Sequence, residues 1–307
     1  MARHFLTVTD LSETELRRLL QVAAQLKRSR RSPQVLAKNL VVLVFQKPSM
    51  RTRVAFEVAV LQLGGSVIYL GQEDIQLGTR EPIKDVARVL SRYVDAIVVR
   101  TFAHRDAEEF AAYASVPVIN GLSDLMHPCQ ALADLFTIQE HFGRLKGIRL
   151  SYVGDGNNVL HSLVEGCGML GISVVAATPS RYRPKASIWN AAAKRGKAHG
   201  ASMGWTPDPR EAVQGADVVY TDVWVSMGKE GEASQRRRLF RPYQLNQTLL
   251  KNAKPRCQIM HCLPAHRGEE ITEELMESPR SLIFDQAENR LHVQKALLIM
   301  LLGRKIK

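Results

Sequence analysis

The chain has 307 residues, 45% hydrophobic and 23% charged, a length and balance that point to a folded protein of two domains rather than a disordered one. No run of about 18 apolar residues marks a membrane span, residues 1–10 lack a long apolar leader, and the four cysteines (Cys129, Cys167, Cys257, Cys262) form no CxxC pair, so reduced thiols and a cytoplasmic location are expected. The formal net charge of +12 admits nucleic-acid binding, but its basic runs, 27–31 and 236–238, are not interleaved with aromatics, and no helix-turn-helix, RNP or zinc-finger pattern accompanies them.

A capping box, Ser12 with Glu15, opens a helix whose end carries the first basic run, where cations complement the helix C-terminus. Residues 41–45 then form an apolar, β-branched strand. Ser49, Met50, Arg51, Thr52 and Arg53 follow, leading into a helical apolar period at Val54, Val58 and Leu61. Two hydroxyls and two guanidiniums thus sit where a helix begins, and unpaired N–H groups there favour an anion. Two readings stay open at this point: a phosphate cradle gripped by Arg51 or Arg53, or a Ser49 N-cap with both arginines solvated.

Further strands are predicted at 66–70, 96–99 and 116–119, and a helix near Pro128 carries Cys129, Leu132 and Phe136 at helical spacing. A second set of strands follows at 149–153, 173–177, 217–220, 258–260 and 281–284. Residues 227–239 are polar and strand-free, the pattern of a mobile loop, and 287–302 reads as a helix returning to the first domain. The alternation predicts an α/β fold: two doubly wound parallel-sheet domains joined by helices, with the active site in the interdomain cleft. The expected domains are 1–140 together with the C-terminal helix 287–307, and 141–286.

Ligands of such sheets bind at the strands' carboxyl ends, and chemically capable residues recur there. They include Arg100; Asn120 and His127; Gly154 to Asn158; Asp222 and Ser226; His261, Cys262 and His266; and Asp285 to Arg290. Gly154 and Gly156 begin a dinucleotide fingerprint, but Val159 occupies its third glycine position and no acidic residue ends the next strand, which argues against a nicotinamide cofactor. His261 and Cys262 are adjacent and would point apart on a strand, so no metal is expected. His127 is either a locally satisfied helix-start residue or a neutral imidazole able to polarise a carbonyl. Cys262 is either a buried structural thiol or a reactive one.

The segments Ser-Met-Arg-Thr-Arg (49–53), His-Pro-Cys-Gln (127–130), Asp-Gly-Asn-Asn (155–158), Asp-Val-Trp-Val-Ser-Met-Gly (222–228) and His-Cys-Leu-Pro-Ala-His-Arg-Gly (261–268) together resemble ornithine carbamoyltransferases in order and spacing, over essentially the whole chain. The first two resemble transcarbamylases generally; the Ser-Met-Gly and His-Cys-Leu-Pro segments favour ornithine over aspartate. The resemblance implies transfer of the carbamoyl group of carbamoyl phosphate to the δ-amine of L-ornithine, giving L-citrulline and phosphate in arginine biosynthesis. It implies that Ser49, Met50, Arg51 and Thr52 hold the phosphate, with Gln76 reaching it from a neighbouring subunit. Arg100 and His127 would bind the carbonyl side and Gln130 the carbamoyl nitrogen, with Pro128 and Cys129 also lining the carbamoyl-phosphate site. Asn158, Asp222, Ser226 and Met227 would hold ornithine, and Cys262, Leu263 and Arg290 complete the site. Arg100, His127, Cys262 and Arg290 are thereby the expected catalytic residues. A homotrimer or multiple of trimers is implied, with no cofactor, metal, nucleic acid or membrane as partner. The alternatives are a transcarbamylase for putrescine, N-acetylornithine or aspartate, or a basic nucleic-acid-binding protein. Met50 departs from the family's commoner Thr and removes one hydroxyl donor, leaving a backbone N–H.

Overall fold

The computed structural model describes residues 2–29, 31–77, 80–226 and 230–303. They divide between two units, Met1–Phe136 with Asn289–Lys307, and Thr137–Glu288.

The first unit opens with α1 (Glu13–Arg28), capped as its sequence foretells: the Ser12 N–H donates to Glu15 at 2.9 Å, and Ser12 Oγ accepts the Glu15 N–H at 3.3 Å. After it come β1 (Leu40–Phe45), α2 (Met50–Gln62), β2 (Ser66–Leu70), α3 (Gln72–Ile75), α4 (Ile83–Leu90), β3 (Ala96–Arg100), α5 (His104–Tyr113), β4 (Val118–Leu122) and α6 (Pro128–Phe142). The strands lie parallel in the order β2-β1-β3-β4. Val42, Val44, Ile97 and Val99 bury β-branched side chains in one core with Val86 and Phe110, which is why β1 and β3 read as unbroken apolar runs. The chain order reverses between β1 and β3, and Phe45 pairs with Arg100 at that point.

The second unit contains β5 (Arg149–Val153), α7 (Asn158–Leu170), β6 (Ser173–Ala177), α8 (Ala186–Ala198), β7 (Met203–Thr206), α9 (Pro209–Val213), β8 (Val218–Thr221), α10 (Ala233–Phe240), α11 (Gln247–Leu250), β9 (Gln258–His261), α12 (Glu273–Met276) and α13 (Ile283–Leu301), the last running on into the first unit's sequence. Its parallel sheet has the order β7-β6-β5-β8-β9, reversing between β5 and β8. Val153 pairs with Thr221, and Thr221 with His261, so Gly154, Asp222 and Cys262 emerge side by side. Gly156 has to be glycine: a Cβ there would lie 2.4 Å from Tyr182 O and Pro184 N.

Both expected parallel sheets are present, with four departures from the predicted elements. Residues 281–284 are not a strand. Ser281 makes a single bridge to Ile259, and Leu282, Ile283 and Phe284 lead into α13. A four-residue apolar run does not distinguish a strand from a helix start. The strand β7 went unpredicted because Met203, Gly204 and Trp205 are only partly buried at the sheet edge. The 116–119 strand begins instead at Val118, since Pro117 has no N–H for the ladder. The expected mobile loop 227–239 contains α10, whose Ala, Gln, Arg and Leu residues are good helix formers; residues 227–229 lie outside those described.

Candidate active site

In the first unit Ser49 caps α2, its Oγ accepting the Thr52 N–H at 3.3 Å. A helix start of this kind favours an anion. Thr52, fully buried, is the hub of the cluster: its Oγ1 accepts from Arg290 Nη2 at 2.6 Å, from Ser49 Oγ at 3.1 Å and, at the limit of a hydrogen bond, from Arg100 Nη1 at 3.5 Å. With donors on its oxygen, the hydroxyl proton of Thr52 turns elsewhere. Arg290 also donates from Nη1 to Gln130 Oε1 at 3.0 Å, and Gln130 Nε2 donates to Asp134 at 2.8 Å, which orients the amide.

Three guanidiniums thus converge. Burial first, then Arg290 and Arg51, push Arg100 down to about 10. Burial first, then Arg290, Arg100 and Arg51, hold His127 well below the usual imidazole range. His127 is therefore neutral at physiological pH, and the cluster carries an excess of positive charge that an anion relieves. The carbonyl of His127 accepts from Gln130 and Ala131 at 3.1 and 3.2 Å, starting α6. Cys129 gives its thiol to Asn120 O at 3.4 Å, and burial raises it to about 12, so it is a neutral donor and not a nucleophile.

Arg51 and Arg53 part company. Arg51 acts electrostatically on Arg100 and His127, whereas Arg53 bonds Glu57 at 2.8 Å and lies over the Tyr69 ring at 3.7 Å. Met50 is 68% exposed. Gln76 is exposed at the left-handed end of α3, and none of the described hydrogen bonds ties it to this cluster.

In the second unit Asp222 is the centre. Its Oδ2 accepts from Asn157 Nδ2 at 2.6 Å; its Oδ1 accepts from the Val223 N–H at 2.8 Å and from Cys262 Sγ at 2.9 Å. Cys262 acts here as a donor, the role of a thiol rather than a thiolate. Asn157 caps α7, its Oδ1 accepting from Val159 and Leu160 N–H and from Tyr152 OH. Asn158 opens α7, Ser226 is partly buried, and the expected ornithine ligand Met227 lies outside the described residues. Leu263 is left-handed at φ 60°, a conformation costing roughly 1–2 kcal/mol for a residue with a Cβ.

Ligand atoms of Asp222, His261 and Cys262 lie within 4.8 Å of one another. His261 Nδ1, however, accepts the Leu263 N–H at 2.9 Å, and its Nε2 meets Glu270 Oε1 at 3.0 Å. A metal would first have to break one of these buried bonds. Sequence reasoning noted Asn157 after its strand without giving it a role, and gave none to Glu270 or Arg236. Asn157 carried a readable signal, an Asn before an apolar helical period. Arg236 was read as part of a surface basic run, yet it is 3% exposed, ion-paired with Asp155, and donates to Trp224 O at 2.6 Å.

Comparison with known proteins agrees with this two-part arrangement. The family model described as aspartate/ornithine carbamoyltransferase, carbamoyl-P binding domain, matches residues 3–140, and that described as the Asp/Orn binding domain matches residues 146–301. Ornithine carbamoyltransferase of Pyrococcus abyssi is 52% identical over 304 residues, 98% of this chain and 96% of the relative. The anabolic ornithine carbamoyltransferase of Pyrococcus furiosus is 51% identical over 304 residues, with the same coverage. A solved structure of the ornithine carbamoyltransferase from Pyrococcus furiosus superposes with a TM-score of 0.96 at 50% identity, covering 100% of this chain and 98% of that one. The chain belongs to the aspartate/ornithine carbamoyltransferase family.

Proposed function

We propose that the chain transfers the carbamoyl group of carbamoyl phosphate to the δ-amine of L-ornithine, releasing L-citrulline and phosphate. The observation that carries this reading is the convergence of Arg51, Arg100 and Arg290 on Thr52 and a neutral His127 at the start of α2. A dianionic phosphate suits the excess positive charge; a nucleic acid, by contrast, would need arginines on an open surface. The phosphate lies against Ser49, Thr52, the Arg51 guanidinium and the backbone N–H groups of Met50 and Arg51. Gln130 takes the carbamoyl nitrogen, and Pro128 and Cys129 contribute main chain at the first turn of α6. Asn158, Asp222, Ser226 and Met227 hold ornithine, and Leu263 presents its main chain to the carbamoyl group.

In the reaction the neutral δ-amine attacks the carbamoyl carbon, and the C=O electron pair moves onto oxygen. Thr52, Arg100 and His127 donate to that oxyanion, the interaction that supplies the largest share of such catalysis. The intermediate collapses: the C=O bond re-forms, the C–O bond to phosphate breaks, the leaving phosphate takes up the proton shed by the attacking nitrogen, and Arg51 and Arg290 neutralise the departing group. Asp222 and Cys262 orient the amine. The anabolic name of one relative supports a place in arginine biosynthesis, and the absence of any described helix long and apolar enough to cross a membrane is compatible with the cytoplasm.

The active assembly is a trimer or multiple of trimers, with Gln76 reaching a neighbour's phosphate. Offered ornithine, putrescine, N-acetylornithine and aspartate with carbamoyl phosphate, the protein should carbamoylate ornithine; preference for another amine refutes the Asp222 and Ser226 assignment. Arg51→Ala should lower kcat about 100-fold or more, the scale of losing one transition-state donor, while Arg53→Ala stays near wild type. Near-normal activity in Arg51→Ala would sink the phosphate cradle.

A further inference from the structure

Resting on the carbamoyl-transfer reading, we propose that His261 and Glu270 are positioning residues that lock the backbone after β9, so that Cys262 meets Asp222 and the Leu263 main chain faces the reacting group. His261 ends β9 with its ring and the Glu270 carboxylate both fully buried. Nδ1 accepts the N–H of Leu263 at 2.9 Å. Nε2 then carries the proton and donates to Glu270 Oε1 at 3.0 Å, the one neutral tautomer that satisfies both contacts. The same carboxylate oxygen accepts the His266 N–H at 2.6 Å, which ties residues 261–270 together at both ends. The His261 main chain is anchored independently: its N–H donates to Gln286 Oε1 at 3.0 Å, and Gln286 Nε2 donates to Tyr220 OH at 3.0 Å.

Both ring nitrogens are engaged, so His261 has nothing to offer a substrate. Its effect passes through Leu263. A left-handed leucine persists only where its surroundings impose it, and the bond from its own N–H to His261 Nδ1 is such a restraint. Released, Leu263 would relax toward extended backbone and turn the peptide that joins it to Cys262, moving Sγ from its 2.9 Å contact with Asp222. Glu270 fixes the tautomer, as carboxylates do behind metal-bound histidines.

The two halves of the lock separate by substitution. Asparagine places its amide oxygen where Nδ1 sits, so His261→Asn keeps the bond to Leu263 and loses Glu270. Glutamine places its amide nitrogen where Nε2 sits, so His261→Gln keeps Glu270 and frees Leu263. The readouts are kcat, KM for both substrates, melting temperature, and amide hydrogen exchange of the peptide carrying Leu263. His261→Gln should lose about 100-fold in kcat, the scale of a misplacement near 1 Å, with fast exchange at Leu263. His261→Asn should keep Leu263 protected and stay within about tenfold of wild-type kcat. Equal losses of kcat in both variants, or a His261→Gln protein with wild-type kcat or a protected Leu263, would overturn the proposal. A wild-type chain that forms no citrulline would sink the activity itself, and with it any positioning for that reaction; exchange at Leu263 would still report whether the lock exists, so the two failures are told apart.

Discussion

At the scale of single residues, position along α2 separates chemistry from scaffolding. Arg51 and Arg53 lie two apart on a helix and therefore face different ways. One adds charge to the buried cluster; the other is spent on Glu57 and the Tyr69 ring. Of the two readings left open by the sequence, Ser49 is the cap and Arg53 pairs outward, while Arg51 adds its charge to the buried cluster where we propose that the anion binds. His127 shows what that site costs. Folding suppresses its protonation below the ordinary value of 6.5, so between that pH and its lower folded value the unfolded chain binds the proton that the folded chain refuses. Stability is then full above about 6.5 and declines as pH falls, by at most about 1.4 kcal/mol per pH unit from this group. Urea unfolding between pH 5.5 and 8 should give a shallower pH dependence for His127→Gln than for wild type. Identical slopes would mean that the imidazole is not held neutral.

At the scale of elements, α10 buries two side chains in the second unit, Phe240 against the rings of Tyr182, Trp224 and Tyr243, and Arg236. Arg236 pairs with Asp155 after β5, donates to Trp224 O, and stacks over Tyr182 at 4.5 Å. Trp224 lies two residues before Ser226, so this contact bears on the placement of a proposed ornithine ligand. Arg236→Ala removes a buried ion pair with Asp155 and the bond to Trp224 O and should cost about 3 kcal/mol in urea unfolding, with KM for ornithine raised and KM for carbamoyl phosphate unmoved. Adding Asp155→Asn should recover part of the lost stability; a strictly additive double variant would refute the coupling. Such a link was invisible in the sequence because Arg236, Arg237 and Arg238 look alike until packing distinguishes them. Strand ends were legible, since β-branched runs such as Val41 to Val44 announce burial on both faces. Edge strand β7 and the start of α13 were not, because partial burial and short apolar runs carry no period. Asp222, Cys262 and Arg290 were legible as chemically capable residues after predicted strands, but only the family resemblance gave them proposed roles. The contact between Asp222 and Cys262 depends on strand register, which no local pattern encodes.

At the scale of the whole molecule, the first unit leaves an apolar stripe uncovered. Met50, Val54 and Leu61, on one face of α2, are 68%, 46% and 59% exposed, and Ile68 on edge strand β2 is 44% exposed. Exposed apolar stripes beside a sheet edge are places where another chain packs. In the proposed trimer this face is covered by a second copy, which also brings Gln76 within reach of its neighbour's phosphate. Light scattering should then give three chain masses or a multiple of three, and Leu61→Glu should shift the protein toward monomer. A shared site makes a sharper demand than mass alone. Arg51→Ala and Gln76→Ala homotrimers should each be weak, because every site in them lacks a phosphate contact. Unfolded together and refolded, the two chains would form mixed trimers in which some sites draw Arg51 from one chain and Gln76 from the next, both intact. Activity of the mixture should rise above the mean of the two parents. A mixture that performs at that mean would place Gln76 and Arg51 in one chain's site, or Gln76 in none, whatever the mass of the assembly.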